Sequence, residues 1–253
     1  MKIGMVQIAT EWENPKANIE KIDFFVSKLT IKPDMLIFPE LSLTGFTMNS
    51  KQFAEEIDGT ATQYFMKLAI KTQTNVFCGI IERDGNDYYN SLIHFNEKGL
   101  IMARYRKIHP FSLAGENEHY SASNELIVTE INKIKIALSI CYDLRFPELF
   151  RLYSKKGIIL SINIANWPTP RIEHWRTLLK ARAIENQCYS IGVNRTGSDP
   201  NHLYNGFSSI YSPLGKEMIS IENDEGIFLQ EININEVEET RNSLPFLKDM
   251  KLI

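Results

Sequence analysis

The sequence predicts an α/β domain, spanning residues 1–253, in which two apolar sheets pack face to face with helices outside them. Three observations lead there. At 253 residues the chain is long enough to bury a sizeable core but short for two independent catalytic domains. Short apolar runs alternate with helical patterns in both halves. No linker, low-complexity tract or short-period repeat interrupts them.

The elements follow in order. Lys2-Ile3-Gly4-Met5-Val6-Gln7-Ile8 reads as an opening strand. Asn14-Pro15 starts a helical pattern reaching about 29, because Ile19, Ile22, Phe25, Val26 and Leu29 recur at helical spacing. A strand over 35–38 follows Lys32-Pro33-Asp34, and 60–73 reads as a second helix. Strands at 75–82, 88–95 and 100–106 come in close order, divided by the turn signals Asp84-Gly85-Asn86 and Asn96-Glu97-Lys98-Gly99. This is a meander joined to an α/β start. The alternation then resumes with a strand over 134–140, carrying Ile134, Ile136, Leu138 and Ile140 at every second place, and a helix over 147–155 with Pro147 in its first turn. A strand at 157–164, a helix at 171–186 and a strand at 187–193 continue it. Three strands around 208–211, 216–221 and 227–231 close the set, with Ser212-Pro213-Leu214-Gly215 as a turn.

Hydrophobic residues at 43% and charged residues at 23% match an ordinary soluble globular protein, and a formal net charge of -3 gives no general attraction to nucleic acid or to an anionic membrane. The N-terminus reads as a strand without the features of a signal peptide, and no apolar run is long enough to span a bilayer, so a cytoplasmic location is expected. The three cysteines, Cys78, Cys141 and Cys188, are odd in number and lack a Cys-x-x-Cys pair, which argues for thiols over a disulfide scaffold or zinc ribbon. Cys78 and Cys188 sit in apolar runs and read as core residues. His94, His109, His119, His174 and His202 show no ligand spacing, so zinc is not expected and most read as ordinary polar residues.

Cys141 differs from the other two. It stands where the apolar run 134–140 breaks into Cys141-Tyr142-Asp143-Leu144-Arg145-Phe146-Pro147-Glu148. A strand emptying into a tight turn pushes one side chain into solvent at the sheet edge, the placement a nucleophile needs. Taken alone, such a cysteine is more readily the end of a packed strand. Two further strand ends carry groups that thiol chemistry on an amide requires. Glu40, in Phe38-Pro39-Glu40-Leu41-Ser42, can serve as a general base if burial raises its affinity for a proton; a lone glutamate is otherwise a solvated loop residue. Lys107, in Arg104-Tyr105-Arg106-Lys107-Ile108-His109-Pro110, can lower the thiol pKa and stabilise an oxyanion; its alternative is a basic surface patch.

Together these stretches resemble the nitrilase superfamily of carbon-nitrogen hydrolases over nearly the whole chain. The resemblance implies a four-layer αββα sandwich, with Glu40 as general base, Lys107 as oxyanion stabiliser, Cys141 as nucleophile and the backbone N–H of Tyr142 completing the oxyanion hole. It also implies a second glutamate between the lysine and the cysteine, best matched by Glu116 in Leu113-Ala114-Gly115-Glu116-Asn117-Glu118, with Glu118 as the fallback. The chemistry it implies needs no metal or organic cofactor, and its partner is a small-molecule amide.

The stretch Asn166-Trp167-Pro168-Thr169-Pro170-Arg171-Ile172-Glu173-His174-Trp175-Arg176, with the following Ala181-Arg182-Ala183-Ile184-Glu185-Asn186-Gln187 and Asn194-Arg195-Thr196-Gly197, is similar to the omega-amidase branch, which acts on the distal amide of 2-oxoglutaramate and related dicarboxylate monoamides. Such a substrate calls for a cation away from Cys141. Arg171 is the candidate, with pairing to Glu173 or a local cap as the alternative. Trp167 is a candidate pocket wall or an ordinary packing residue. Arg182 and Glu185 stand at helical pairing distance. Another aliphatic amidase or an N-carbamoyl amide hydrolase is the nearest alternative within the superfamily. Outside it, a metal-dependent phosphodiesterase would draw on Asn163, Asn166, Asp143 and His174, though a terminal Asp-His pair is missing; a non-catalytic binding protein would have no use for Glu40, Lys107 and Cys141 together. The resemblance further implies a homodimer with 147–155 and 235–253 at the interface, while Asn242-Ser243-Leu244-Pro245-Phe246-Leu247 is equally able to pack back on its own chain.

Overall fold

The computed structural model describes residues 1–252. The first half runs β1 (Lys2–Gln7), α1 (Pro15–Ser27), β2 (Met35–Ile37), α2 (Ser50–Phe53), α3 (Thr60–Thr72), β3 (Asn75–Asp84), β4 (Asp87–Phe95), β5 (Ile101–Arg106) and α4 (Glu116–His119). The second runs β6 (Val128–Ile131), β7 (Ile134–Ile140), α5 (Pro147–Lys155), β8 (Leu160–Ile164), α6 (Ile172–Asn186), β9 (Tyr189–Val193), β10 (Thr196–Ser198), β11 (Leu203–Tyr211), β12 (Glu217–Glu222), β13 (Gly226–Glu231) and α7 (Asn235–Ser243).

The strands form two sheets. One is ordered β13-β1-β2-β3-β4-β5, and the other β10-β11-β9-β8-β7-β6 with β12 paired to β11. The parallel pairs are central: β1 with β2, β2 with β3, β7 with β8, and β8 with β9. Side-chain alternation sorts the residues between layers. Met35 and Ile37 of β2 meet Ile136, Leu138 and Ile140 of β7 and Ile162 and Ile164 of β8 in the core between the sheets. Leu36 faces the other way, into a second core shared with Ile22 and Val26 of α1 and Phe65 and Leu68 of α3. Ala137, on the outer face of the other sheet, packs with Leu149 and Phe150 of α5 and Trp175 and Leu179 of α6. The layers are therefore helix, sheet, sheet, helix, the αββα sandwich that the resemblance implies.

Most predicted elements sit within a few residues of their expected bounds. The sequence pattern does not reveal β6, β10, α2, α4 or α7, because each is short or largely polar. Helix α7, for instance, buries only Val237 and Thr240 among its nine residues. The strand expected at 157–164 starts at Leu160, because Gly157 takes φ +74° just beyond α5. The C-terminal segment packs back on its own chain at Leu244, whose carbonyl accepts Gln187 Nε2 at 2.6 Å. Arg182 and Glu185 form a mostly buried pair at 2.8 Å within α6. Cys78 and Cys188 are core residues, and among the described residues no helix is long and apolar enough to cross a membrane.

Candidate active site

Within one sheet β2 and β5 run the same way, as do β7 and β8 within the other, and the residues just beyond all four meet at one end of the sandwich. Glu40, Lys107, Cys141 and Asn166 all lie just past those strand ends. In open α/β sheets this carboxyl end is the usual place for a ligand. Glu40 reaches it through a turn that crosses β3 closely. A Cβ on Gly79 would lie 2.4 Å from Leu41 N and 2.9 Å from Glu40 Cα, so only glycine allows that passage. Ser42 secures the turn, its N–H donating to Gly79 O at 2.9 Å while its Oγ accepts the Gly79 N–H at 3.0 Å.

Lys107 is 1% exposed, and Glu40 and Glu116 are wholly buried. The lysine Nζ donates to Glu40 Oε1 at 2.9 Å and to Glu116 Oε2 and Oε1 at 2.8 and 3.0 Å. Asn166 donates to Glu40 Oε2 from its backbone N–H at 2.8 Å, and Phe111 N–H donates to Glu116 Oε2. Burial by itself would lower the Lys107 pKa, but Glu116 and Glu40, aided by Cys141, outweigh it and hold the ammonium well above its usual range. Burial raises the Glu116 carboxyl; the Lys107 charge pulls it down and Glu40 pushes it up again.

Cys141 has φ +45° and opens a 3₁₀ turn, Cys141–Arg145, that leads into α5 with Pro147 at its start. A positive φ at a non-glycine residue is uncommon and is sustained here by its surroundings. Asp143, fully buried, supplies them. It accepts the Ile140 N–H at 2.9 Å, Tyr105 Oη at 2.7 Å, and His109 through its backbone N–H at 3.0 Å and Nδ1 at 2.8 Å. The His109 ring stacks on Phe146 with centroids 3.7 Å apart. The turn holding Cys141 is thus clipped to the segment holding Lys107.

Lys107 does favour the thiolate, but burial and the Glu40 charge, with a contribution from Glu116, push Cys141 well above the usual thiol range. That direction leaves ionisation of Cys141 dependent on a base to accept the proton.

Cys141 and Lys107 open into a pocket also lined by Phe46, Phe111, Tyr142, Arg145, Trp167, Arg171, His202 and Tyr204. Trp167 walls it, with Nε1 donating to Arg171 O at 2.7 Å. Arg171 does not pair with Glu173, which is bonded by Arg176 instead. Its guanidinium lies 5.6 Å from the Phe111 ring centroid. Arg145 lies 4.8 Å from the Trp167 centroid and bonds His174 Nδ1 at 3.3 Å. Neither arginine forms an ion pair among the described residues.

Glu116 enters the cluster, and Glu118 is exposed on the surface. The set imagined for a phosphodiesterase does not converge. Asn163 bonds Ser139 Oγ, Asp143 is held by Tyr105 and His109, and Asn166 serves Glu40. Sequence reasoning did not single out Arg145, His202 and Tyr204 at the pocket, nor Asn90, which bonds both carboxylates. A polar residue amid the apolar positions of strand 88–95 was the one sign of Asn90.

Three comparisons bear on this site. The sequence model described as carbon-nitrogen hydrolase matches residues 2–242. The chain is 36% identical to a 2-oxoglutaramate amidase of Bacillus subtilis over 98% of this chain and 97% of that protein. It is 32% identical to the omega-amidase YafV of Yersinia enterocolitica over 98% and 96%. The crystal structure of XC1258 from Xanthomonas campestris, a CN-hydrolase superfamily protein with an arsenic adduct in its active site, superposes with a TM-score of 0.94 at 29% identity, covering 100% of this chain and 98% of that one. With the αββα sandwich and a match over nearly its full length, this chain belongs to the carbon-nitrogen hydrolases of the nitrilase superfamily.

Proposed function

We propose that the protein is a thiol-dependent amidase that hydrolyses the distal amide of dicarboxylate monoamides such as 2-oxoglutaramate, releasing the acid and ammonia through a cysteine acyl-enzyme. One observation carries the choice of substrate: Arg145 and Arg171, without an acidic partner among the described residues, line the same pocket as Cys141. Burial and then the charge of Arg171 press the Arg145 pKa below its usual value, a strain that a carboxylate bound between the two would relieve. The full-length likeness to a 2-oxoglutaramate amidase supports the same substrate class.

In this reading Glu40 takes the Cys141 proton as Sγ attacks the amide carbon, and the carbonyl π pair moves onto oxygen. Lys107 and the Tyr142 backbone N–H stabilise that oxyanion, in a site dry enough for a fixed charge to count heavily. Collapse breaks the C–N bond, and the amine leaves as ammonia with the proton from Glu40. Glu40 then takes a proton from water, whose oxygen attacks the thioester. The C–S bond breaks, and the proton on Glu40 passes to Sγ to restore the thiol and the carboxylate. Glu116 holds Lys107 in place and balances its charge, Trp167 shapes the pocket, and Arg171 and Arg145 bind the distal carboxylate.

The test is ammonia release by the purified protein from 2-oxoglutaramate, a neutral aliphatic amide and an N-carbamoyl amino acid, each with and without prior iodoacetamide. The expected result is thiol-sensitive release, greatest from 2-oxoglutaramate. Release chiefly from another amide would discard the substrate and keep the mechanism. Arg171→Ala and Arg145→Ala are each expected to raise KM for the carboxylate-bearing amide by about tenfold or more and to spare the neutral amide, since an Arg–carboxylate contact is charge-assisted. Equal losses on both substrates would mean that the arginines are structural.

The cytoplasmic location is carried forward as part of this proposal, as is a homodimer. Leu152 of α5 and Phe246 beyond α7 are exposed apolar side chains on the two segments expected at the interface, 147–155 and 235–253, of which Ile253 lies outside the described residues. Sedimentation should give twice the 29.2 kDa chain mass; a monomer mass would remove the dimer.

A further inference from the structure

Asn90 lies on β4 and is 1% exposed. Its Nδ2 donates to Glu40 Oε1 at 2.8 Å and to Glu116 Oε1 at 2.9 Å, and its carbonyl accepts the Lys107 backbone N–H at 2.9 Å. Apart from Lys107 itself, no other described residue bonds both carboxylates. Its Oδ1 has no hydrogen-bond partner among the described residues. Reversing the amide would place that oxygen against two carboxylate oxygens, so the orientation is set by the pair it serves.

The cluster explains why a neutral donor is used. Glu40 Oε1 takes donors from Lys107 and Asn90, and Glu40 Oε2 takes the Asn166 N–H. Glu116 Oε1 takes Lys107 and Asn90, and Oε2 takes Lys107 and Phe111 N–H. Both carboxyls are surrounded by donors, yet only one of those donors carries a charge. Two adjacent anions facing one cation repel each other, and an amide with two N–H groups bridges them without bringing a second cation beside the thiol. The other titratable groups facing the pair are Cys141 and Tyr120, the latter committed to Thr47 O at 2.7 Å.

We propose that Asn90 is a positioning residue of the amidase reaction: its two-pronged amide holds Glu40 and Glu116 together and fixes Glu40 against Lys107. This rests on the Glu40-Lys107-Cys141 reading above and adds a residue that touches neither substrate nor the reacting sulfur. Without the amide, the anionic form of the pair loses a donor and the proton is held to higher pH.

The test compares wild type, Asn90→Ala, Asn90→Asp and Glu40→Gln as full chains. It follows kcat/KM for 2-oxoglutaramate and the iodoacetamide alkylation rate of Cys141, read by mass spectrometry, across pH 5–9. Asn90→Ala should move the acidic limb of both profiles up by about one pH unit, and so lower the rate about tenfold below the limb. Asn90→Asp, near-isosteric and adding a third carboxyl, should move it further; it carries the test if Asn90→Ala fails to fold. A uniform fall in rate at every pH, or wild-type profiles in both variants, overturns the proposal while Glu40→Gln still changes the profile. If Glu40→Gln leaves alkylation and turnover unchanged, the underlying mechanism fails first, and the proposal with it.

Discussion

Replacing Cys141 by alanine is expected to abolish ammonia release, with kcat/KM lower by on the order of 10⁴-fold or more, as for other nucleophiles of covalent catalysis. The fold should survive within about 1 kcal/mol, because the substitution removes one atom facing a pocket and leaves the backbone clip at Asp143 in place. Alkylation gives a second readout. Cys78 and Cys188 are buried in apolar cores, where burial lifts the Cys78 thiol well above its usual value and Cys188 to about 12, so native protein should take up label at Cys141 and the variant at neither of its two remaining cysteines. The pH dependence has a defined sign. Glu40→Gln removes both the assisting base and one anion that pushes the thiol up, but burial, the larger influence, still holds the thiol up, so alkylation of that variant should climb through the alkaline range. A Cys141→Ala protein with undiminished turnover would remove the mechanism altogether.

Lys107→Ala is the variant expected to harm stability and activity together. It leaves Glu40 and Glu116 buried without the ammonium that bonds both, and breaking a buried ion pair by removing one partner costs about 3–5 kcal/mol. For a chain of this size that lowers Tm by roughly 6–20 °C. Loss of the oxyanion contact should cost a further 10²–10³-fold, on the order of one fixed donor, in kcat. The deficit should depend on pH. Burial already raises the folded-state pKa of Glu116 above its ordinary carboxyl value, and without Lys107 the chief opposing influence is gone. A carboxyl whose folded pKa lies above its unfolded pKa favours the folded state below the unfolded value, and that advantage is lost as pH rises through the folded value. The Tm gap between variant and wild type should therefore be small near pH 4.5 and widen toward pH 8. A gap independent of pH would mean that the lysine stem, not its charge, supports the fold.

How much of this was legible in the chain varies from residue to residue. Period-two alternation in 134–140 and the short apolar run 35–38 indicated buried strands, and the pairing of Met35 and Ile37 with one core and Leu36 with another is the strand's side-chain alternation in three dimensions. Pro147 marked the helix after Cys141 because proline fits only a helix's first turn, and it stands at the start of α5. Charge and residue type made Glu40, Lys107 and Cys141 candidates because each ends an apolar strand. The short strands and polar helices stayed hidden, since a segment such as α7 forms against existing surface instead of announcing itself through periodicity.

The sequence by itself determined the strand and helix periods, the layer order they favour and the strand-end positions of three reactive side chains, because those depend on patterns local to the chain. Only the tertiary structure decided that Glu116 and not Glu118 joins Lys107, that Asn90 bridges two carboxylates 50 and 26 residues away, and that Arg145 joins Arg171 in one pocket. It also sets the pull of Lys107 on the Cys141 thiol, which has the expected direction, against burial and the surrounding anions, which outweigh it. Those outcomes depend on distances across the fold and on desolvation, and neither quantity is encoded in the spacing of residues along a chain.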